Sequence, residues 1–108
     1  MFEIFQSEKN KKFYFNLKAK NGQVILSSQG YSDKSGAMNG VDSVRKNCND
    51  DSKFERKTAA NGKFHFNLKA GNGQVIGNSQ MYASEAGMEN GIESVRNNAP
   101  DAEVKEAE

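Results

Sequence analysis

The side chains best suited to chemistry are few in this chain, and they do not cluster in its sequence. Among the 108 residues there is one histidine, His65, and one cysteine, Cys48. One imidazole and one thiol are too few for a structural zinc site, which takes four such ligands. Nucleophilic catalysis would need a serine or cysteine beside a base and an orienting group, and no motif supplies that set. We therefore predict no catalytic residue, no metal site and no cofactor.

The chain is organised by an internal repeat. Residues 13–48, FYFNLKAKNGQVILSSQGYSDKSGAMNGVDSVRKNC, return 51 positions later as residues 64–99, FHFNLKAGNGQVIGNSQMYASEAGMENGIESVRNNA, with 21 identities among the 36 aligned positions. Each half is too short to bury a comfortable core alone. We therefore predict one domain, residues 1–108, in which repeat one (1–52) and repeat two (53–108) share a core.

Each repeat begins with patterns typical of β-strands. Residues 13–19 alternate apolar and polar side chains, as a half-buried strand does, and residues 64–70 repeat the alternation. A shorter strand is predicted before each of these, at residues 2–6 and 53–57. Residues 102–105 are predicted as one more short strand or a frayed tail.

An Asn-Gly pair follows each long strand, at 21–22 and at 72–73. This pair favours a type I′ hairpin turn, in which both central residues have positive φ. We favour a two-residue loop, which places Leu17 opposite Leu26 and leaves an isoleucine of each repeat on the exposed face, Ile25 and Ile76. A three-residue loop would shift the register and turn Ile25 inward.

A helix is predicted to close each repeat. Ser32 or Asp33 is suited to cap the first helix, which runs to about Asn47, and Ser84 the second. Small and apolar residues at spacings of three and four form an inner stripe on each helix: Ala37, Gly40, Val41, Val44 and Cys48; then Met88, Gly91, Ile92, Val95 and Ala99. We predict an α+β fold of two tandem β-β-β-α repeats. One antiparallel sheet carries both helices on one face, with a pseudo-two-fold relating the repeats.

Charge and hydropathy limit the classes of function. The net charge is +1, which argues against a dedicated nucleic-acid binder. No apolar run approaches the ~18 residues that span a bilayer, and the first residues lack the pattern of a signal peptide. The single cysteine excludes an internal disulfide. We expect a cytoplasmic monomer without membrane association.

The repeated pattern FNLKA, NGQVI, SQ, Y and SVR resembles the YegP-like family, small bacterial proteins of unknown function. The resemblance covers residues 2–99. It implies two strand-strand-strand-helix repeats joined in one sheet. It implies no established activity, catalytic residue or cofactor.

The open sheet face is the remaining candidate for a binding surface. Each repeat places one aromatic or imidazole ring, one amide and one cation there: Tyr14, Asn16 and Lys18, then His65, Asn67 and Lys69. Such a face suits an interaction module that binds a protein or peptide without catalysis. Duplication alone would also repeat these residues, as scaffold on a solvated sheet face. The alternative is a weak binder of single-stranded nucleic acid, with bases stacked on the rings and phosphates on the lysines. An enzyme is the third alternative, and it would require a concave pocket beside His65.

Overall fold

The computed structural model describes residues 1–106, and within that range it contains seven strands and two helices. They are β1 (Phe2–Gln6), β2 (Phe13–Lys18), β3 (Val24–Ser28), α1 (Lys34–Asn47), β4 (Phe54–Thr58), β5 (Phe64–Lys69), β6 (Val75–Asn78), α2 (Glu85–Asn98) and β7 (Val104–Glu106). The two final positions of the predicted second repeat, 107 and 108, lie outside the described residues. Each repeat is therefore three strands followed by a helix, as predicted.

The strands form one sheet in the order β4-β5-β6-β3-β2-β1-β7. All neighbouring strands are antiparallel except β1 and β7, which are parallel, so the prediction of a purely antiparallel sheet was wrong at this edge. The cause is the return of the chain after α2. The Phe2 N–H donates to the Glu103 carbonyl at 2.7 Å, and the following strand continues alongside β1.

A pseudo-two-fold axis passes through the centre of the sheet. There β3 meets β6, and Ser27 pairs with Asn78, the residue at the same position of the other repeat. The strands outward from this pair follow in matching order on both sides. The predicted symmetry is confirmed, and β7 is the strand that lies outside it.

One hydrophobic core joins both repeats. The predicted inner stripes of the two helices are buried together with the apolar side chains of the strands. Cys48 belongs to this cluster as a free thiol, and burial raises its pKa, as expected of a packing residue. Both helices therefore cover the same face of the sheet. None of the helices within residues 1–106 is both long enough and apolar enough to cross a bilayer.

The two helices begin at the predicted caps. The Asp33 carboxylate accepts a hydrogen bond from the Gly36 N–H at 2.7 Å, and the Ser84 hydroxyl accepts one from the Gly87 N–H at 3.0 Å. These bonds satisfy N–H groups that have no partner inside the helix. The cap of α1 is therefore Asp33 and not Ser32.

The hairpin loops differ from the favoured prediction. The Ala19 N–H donates to the Gln23 carbonyl at 2.8 Å, which encloses a three-residue loop, and within it only Gly22 has positive φ, at 86°. A bulge follows: Leu17 pairs with Leu26 as predicted, but Lys18 pairs with Val24. The intervening isoleucines are buried, with 4% and 5% of their surface exposed for Ile25 and Ile76. The expectation of exposed isoleucines was wrong because the bulge turns them toward the core.

A glycine in each helix lets a tyrosine pack against the backbone. A Cβ on Gly40 would lie 2.3 Å from the Tyr31 Oη, and one on Gly91 would lie 2.3 Å from the Tyr82 Oη. Tyr31 in turn stacks on Phe15, with ring centroids 6.3 Å apart. The matched glycines thus allow close packing, and the group that approaches them is the tyrosine.

We expect Lys11→Gly to raise the free energy of unfolding by about 1 kcal/mol, because Lys11 has a left-handed φ that favours glycine. Its φ is 62°, and the residue at the same position of repeat two is Gly62, with φ 82°. Gly62→Ala should lower stability by a similar amount. Urea denaturation measures both changes. Lys9→Gly, in the same turn but without positive φ, is the matched control. An equal gain from that control would contradict the explanation.

We expect Gly40→Ala to lower stability by roughly 1–2 kcal/mol, although alanine favours helices by about 1 kcal/mol. The new methyl would overlap Tyr31 and lie 2.8 Å from Phe15 Cε2. Tyr31→Phe removes the closest atom, so the same alanine should destabilise less in that background. Thermal unfolding of the unsubstituted protein, of each single variant and of the double variant forms a double-mutant cycle. Additive effects would show that the tyrosine is not the obstacle.

Candidate functional site

The six predicted side chains lie on the open face of the sheet, and all are half-buried. Tyr14, Asn16 and Lys18 follow one another on β2, while the His65 row lies on β5. Two strands separate the rows, so they are about 14 Å apart at the usual strand spacing. Since β2 and β5 run in opposite directions, the asparagines are level with each other and each ring is level with the other row's lysine.

A continuous line of polar side chains crosses the open face at the level of the two asparagines. Direct pairing in the ladders defines this polar row: Lys105, Glu3, Asn16, Ser27, Asn78, Asn67 and Glu55. Directly paired residues project to the same face of a sheet. The row is nearly palindromic about the pseudo-two-fold axis. Sequence reasoning named the two asparagines as site residues, and strand pairing supplies the other members of the row.

The centre of the polar row has free hydrogen-bonding groups. Within residues 1–106 the side chains of Asn16, Ser27 and Asn78 make no hydrogen bond, whereas the Asn67 Nδ2 donates to Glu55 Oε1 at 3.1 Å. The hydroxyls of Ser28 and Ser79 differ from them, because each accepts a bond from a strand N–H, at 2.8 and 2.9 Å. These two serines therefore complete the sheet, and the free groups lie beside them.

Both lysines of the predicted site face carboxylates. Lys18 Nζ lies 3.2 Å from Glu3 Oε1, and Lys69 Nζ lies 2.9 Å from Glu55 Oε2. The Lys69 ammonium, then the Asn67 amide, lower the pKa of Glu55 to about 2. A phosphate would have to compete with these carboxylates for each cation. The arrangement is therefore poorly suited to nucleic acid.

The two rings of the predicted site have different surroundings. Tyr14 stacks on Phe5, with centroids 5.8 Å apart, and its hydroxyl accepts a hydrogen bond from Asn10 Nδ2 at 2.9 Å. Its ring also closely approaches the Gly30 backbone, where a Cβ would lie 3.1 Å from Tyr14 Cζ. His65 has Lys57 directly opposite on β4. A stacked base would therefore have to displace protein contacts at Tyr14 and meet a cation at His65.

Five grooves lie among residues 1–106, and His65 lines none of these five. One of these grooves, of about 660 Å³, lies between α1 and the β5–β6 hairpin. We call it the α1 groove, and its lining residues are Gln29, Tyr31, Gly36, Asn39, Gly40, Ser43, Ala70, Asn72, Gln74, Val75 and Ile76. In the same part of the chain, no three His, Cys, Asp or Glu side chains lie together as metal ligands would. The pocket beside His65 that the enzyme alternative requires is not among these five grooves.

Comparison with known proteins places the architecture in a defined group. The family described as a domain of unknown function, DUF1508, matches twice, at residues 8–55 and 59–106. A protein from Stutzerimonas stutzeri, "UPF0339 protein in ptx operon 5'region", is 61% identical and covers 97% of this chain and 94% of its own length. YegP from Escherichia coli K12 is 50% identical over the same shares of the two chains.

Two solved structures share the fold. The solution structure of yegP from E. coli, described as a protein of unknown function, has a TM-score of 0.91 and 48% identity, covering 97% of this chain and 90% of that one. The solution structure of a UPF0339 protein from Shewanella oneidensis has the same TM-score and identity, covering 97% and 88%. The resemblance drawn from the repeated sequence motifs is thereby confirmed.

We expect Lys69→Met to raise the pKa of Glu55 from about 2 toward its ordinary value of 4.5, because the largest cause of the depression is the Lys69 ammonium. A depressed folded pKa stabilises the fold above the unfolded pKa, and this contribution is lost as pH falls from about 4.5 toward 2. An NMR pH titration of the side-chain carboxyl measures the shift. Lys63→Met, at an exposed lysine of the preceding turn, is the control. An unchanged Glu55 pKa in Lys69→Met would refute the ion pair.

Proposed function

The chain belongs to the DUF1508 family, whose similar members are described without a specific activity, and from that premise we propose that it is a non-enzymatic interaction module. Its open sheet face binds a protein or peptide partner. The observation that carries the proposal is the polar row, whose central amides and hydroxyl have no partner within residues 1–106. A single chain provides the whole face, so the active form is a monomer.

The chemistry of the open face suits a protein surface better than a phosphate backbone. The amides of Asn16 and Asn78 can each donate and accept, as peptide groups and polar side chains do. Val24 lies beside the row, because it pairs with Lys18. Mixed apolar and hydrogen-bonding surface is usual at interfaces between proteins. The carboxylates beside both lysines disfavour phosphate.

The repeat pattern supports a contact that spans both halves. Asn16 and Asn67 lie at matching positions on either side of the axis, and each places an amide on the open face. A partner centred on Ser27 and Asn78 would contact both repeats at once. We place this contact in the cytoplasm, where the buried free thiol of Cys48 would stay reduced.

A photo-crosslinking residue at Ser27 tests the proposal, with the same residue at Asp42, exposed on α1, as the matched control. We expect an adduct of one defined mass from an extract of Stutzerimonas stutzeri with the Ser27 probe and none with the Asp42 probe. Asn16→Ala combined with Asn67→Ala should reduce its yield at least fivefold, since each lost hydrogen bond weakens binding by about that factor. Adducts at both positions, or yields unaffected by the alanines, would refute the proposal.

A second measurement distinguishes nucleic-acid binding from the proposed binding of a protein or peptide. Fluorescence anisotropy with oligo(dT) and oligo(U) should show no binding that depends on Lys18 and Lys69. Affinity that falls steeply between about 50 and 200 mM salt and is lost in Lys18→Met would establish phosphate contacts and overturn the proposed function.

A further inference from the structure

The α1 groove, on the helix side of the molecule, is built from residues that the two repeats share without exception. Each of its eleven lining residues is identical to the residue at the same position of the other repeat. Over the whole repeat, only 21 of 36 positions are identical. The groove combines α1 of repeat one with the β5–β6 hairpin of repeat two, so this agreement covers two separate segments.

Burial alone does not account for this agreement. In residues 13–48, fourteen positions are exposed, and nine of them differ between the repeats. The exposed positions have therefore diverged freely. One of the five that remain identical is the turn glycine, Gly22, whose φ of 86° explains it. The other four are amides. Gln29 and Asn39 line the α1 groove themselves. Asn21 and Gln23 occupy the same repeat positions as Asn72 and Gln74, which also line it.

Most of these amides have no role in holding the fold. Asn72 has one, because its Oδ1 accepts a hydrogen bond from the Gln74 N–H at 3.0 Å within the hairpin turn. The side chains of Gln29, Asn39 and Gln74 make no hydrogen bond within residues 1–106. Asparagine inside a helix is also less favourable than alanine. Asn39 and its counterpart Asn90 are therefore retained at exposed helical positions where stability would favour another residue.

The lining of the α1 groove defines the chemistry of its ligand. None of the eleven lining residues carries a charge, so a charged ligand group would lose water without gaining an ion partner. The single lining ring, Tyr31, lies between Phe15 and the helix glycines and offers no free face for stacking a base. What the groove presents is primary amides beside an apolar wall of Val75 and Ile76. The volume of about 660 Å³ is in the usual range for binding clefts.

We infer that the α1 groove binds an uncharged stretch of polypeptide, held by hydrogen bonds between its main chain and the side-chain amides of Gln29, Asn39 and Gln74. A primary amide carries a donor and an acceptor side by side, and a peptide group offers the complementary pair. The apolar wall accommodates small side chains. This site lies apart from the polar row and does not depend on the proposed function of the open face.

A titration with defined probes tests the inference. The probe is a mixture of capped tetrapeptides built from Gly, Ala, Ser, Thr, Asn and Gln. We expect it to shift the side-chain NH₂ resonances of Gln29, Asn39 and Gln74 in ¹⁵N-labelled protein. The affinity should be unchanged between about 50 and 200 mM salt, because no ions are released. The absence of shifts at millimolar peptide would overturn the inference. So would equal shifts with capped tetra-aspartate or tetra-lysine, or shifts with maltotriose or oligo(dT) in place of the peptides.

Asn39→Ala separates binding from folding. The alanine should raise the unfolding temperature, because it favours the helix, while it weakens peptide binding about fivefold through the lost hydrogen bond. Met38→Ala, at the neighbouring exposed position that differs between the repeats, should leave the affinity unchanged. Asn90→Ala, the counterpart on α2, should leave the shifts at Gln29 and Gln74 unchanged. Unaltered affinity in Asn39→Ala, or an equal loss in Met38→Ala, would refute the role of this amide.

Discussion

The junction between β3 and β6 is the contact on which the rest of the structure depends. At the centre of the sheet, two residue pairs join β3 of repeat one to β6 of repeat two: Ser27 with Asn78 and Ser28 with Gly77. A Cβ on Gly77 would lie 2.7 Å from the Ser27 carbonyl oxygen and 3.2 Å from Leu26 Cγ. At this crossing there is room for the fully buried Leu26 of one repeat and for only a hydrogen in the other. Exact symmetry at the axis is therefore sterically excluded, which is why this core position differs between the repeats.

This junction also creates the surfaces that single repeats would lack. The polar row crosses the axis, and its central pair consists of one residue from each repeat. The α1 groove likewise takes its helix from repeat one and its hairpin from repeat two. A lone repeat of about 50 residues would expose the edge of β3 and bury a core too small for comfortable stability. Tandem duplication thus stabilises the fold and builds the polar row and the α1 groove in one step.

The sequence was sufficient for the elements whose signals are local. Alternation in β2, the spacing of the helix stripes and the cap at Ser84 each depend on a few neighbouring residues, and the structure confirms them. The sequence was insufficient where strand pairing depends on segments that are distant in the chain. The strand that pairs with β7 depends on where the chain leaves α2. The three residues of β7 do not indicate that position. The bulge that buries Ile25 depends on the closing geometry of the loop, which an Asn-Gly pair does not define alone.

The same distinction applies to the candidate sites. The rows on β2 and β5 were predictable because alternation assigns residues to a face. The carboxylates of Glu3 and Glu55 were not, since their pairing with the lysines depends on the register between strands. Register also joins Ser27 to Asn78, two residues that differ in sequence and therefore escaped a search for repeated types.

The open sheet face and the α1 groove differ in how far their residues have diverged between the repeats. Tyr14 differs from its counterpart His65, and the two rings have different neighbours, Phe5 and Lys57. Each ring has therefore adapted to its own edge of the sheet. The exposed amides of Gln29 and Asn39 make no hydrogen bond within residues 1–106, yet their counterparts Gln80 and Asn90 are the same residues. A position that packs against nothing can diverge without loss of stability. The identity of these amides, where most exposed positions differ, is the pattern that the ligand proposed for the α1 groove would produce.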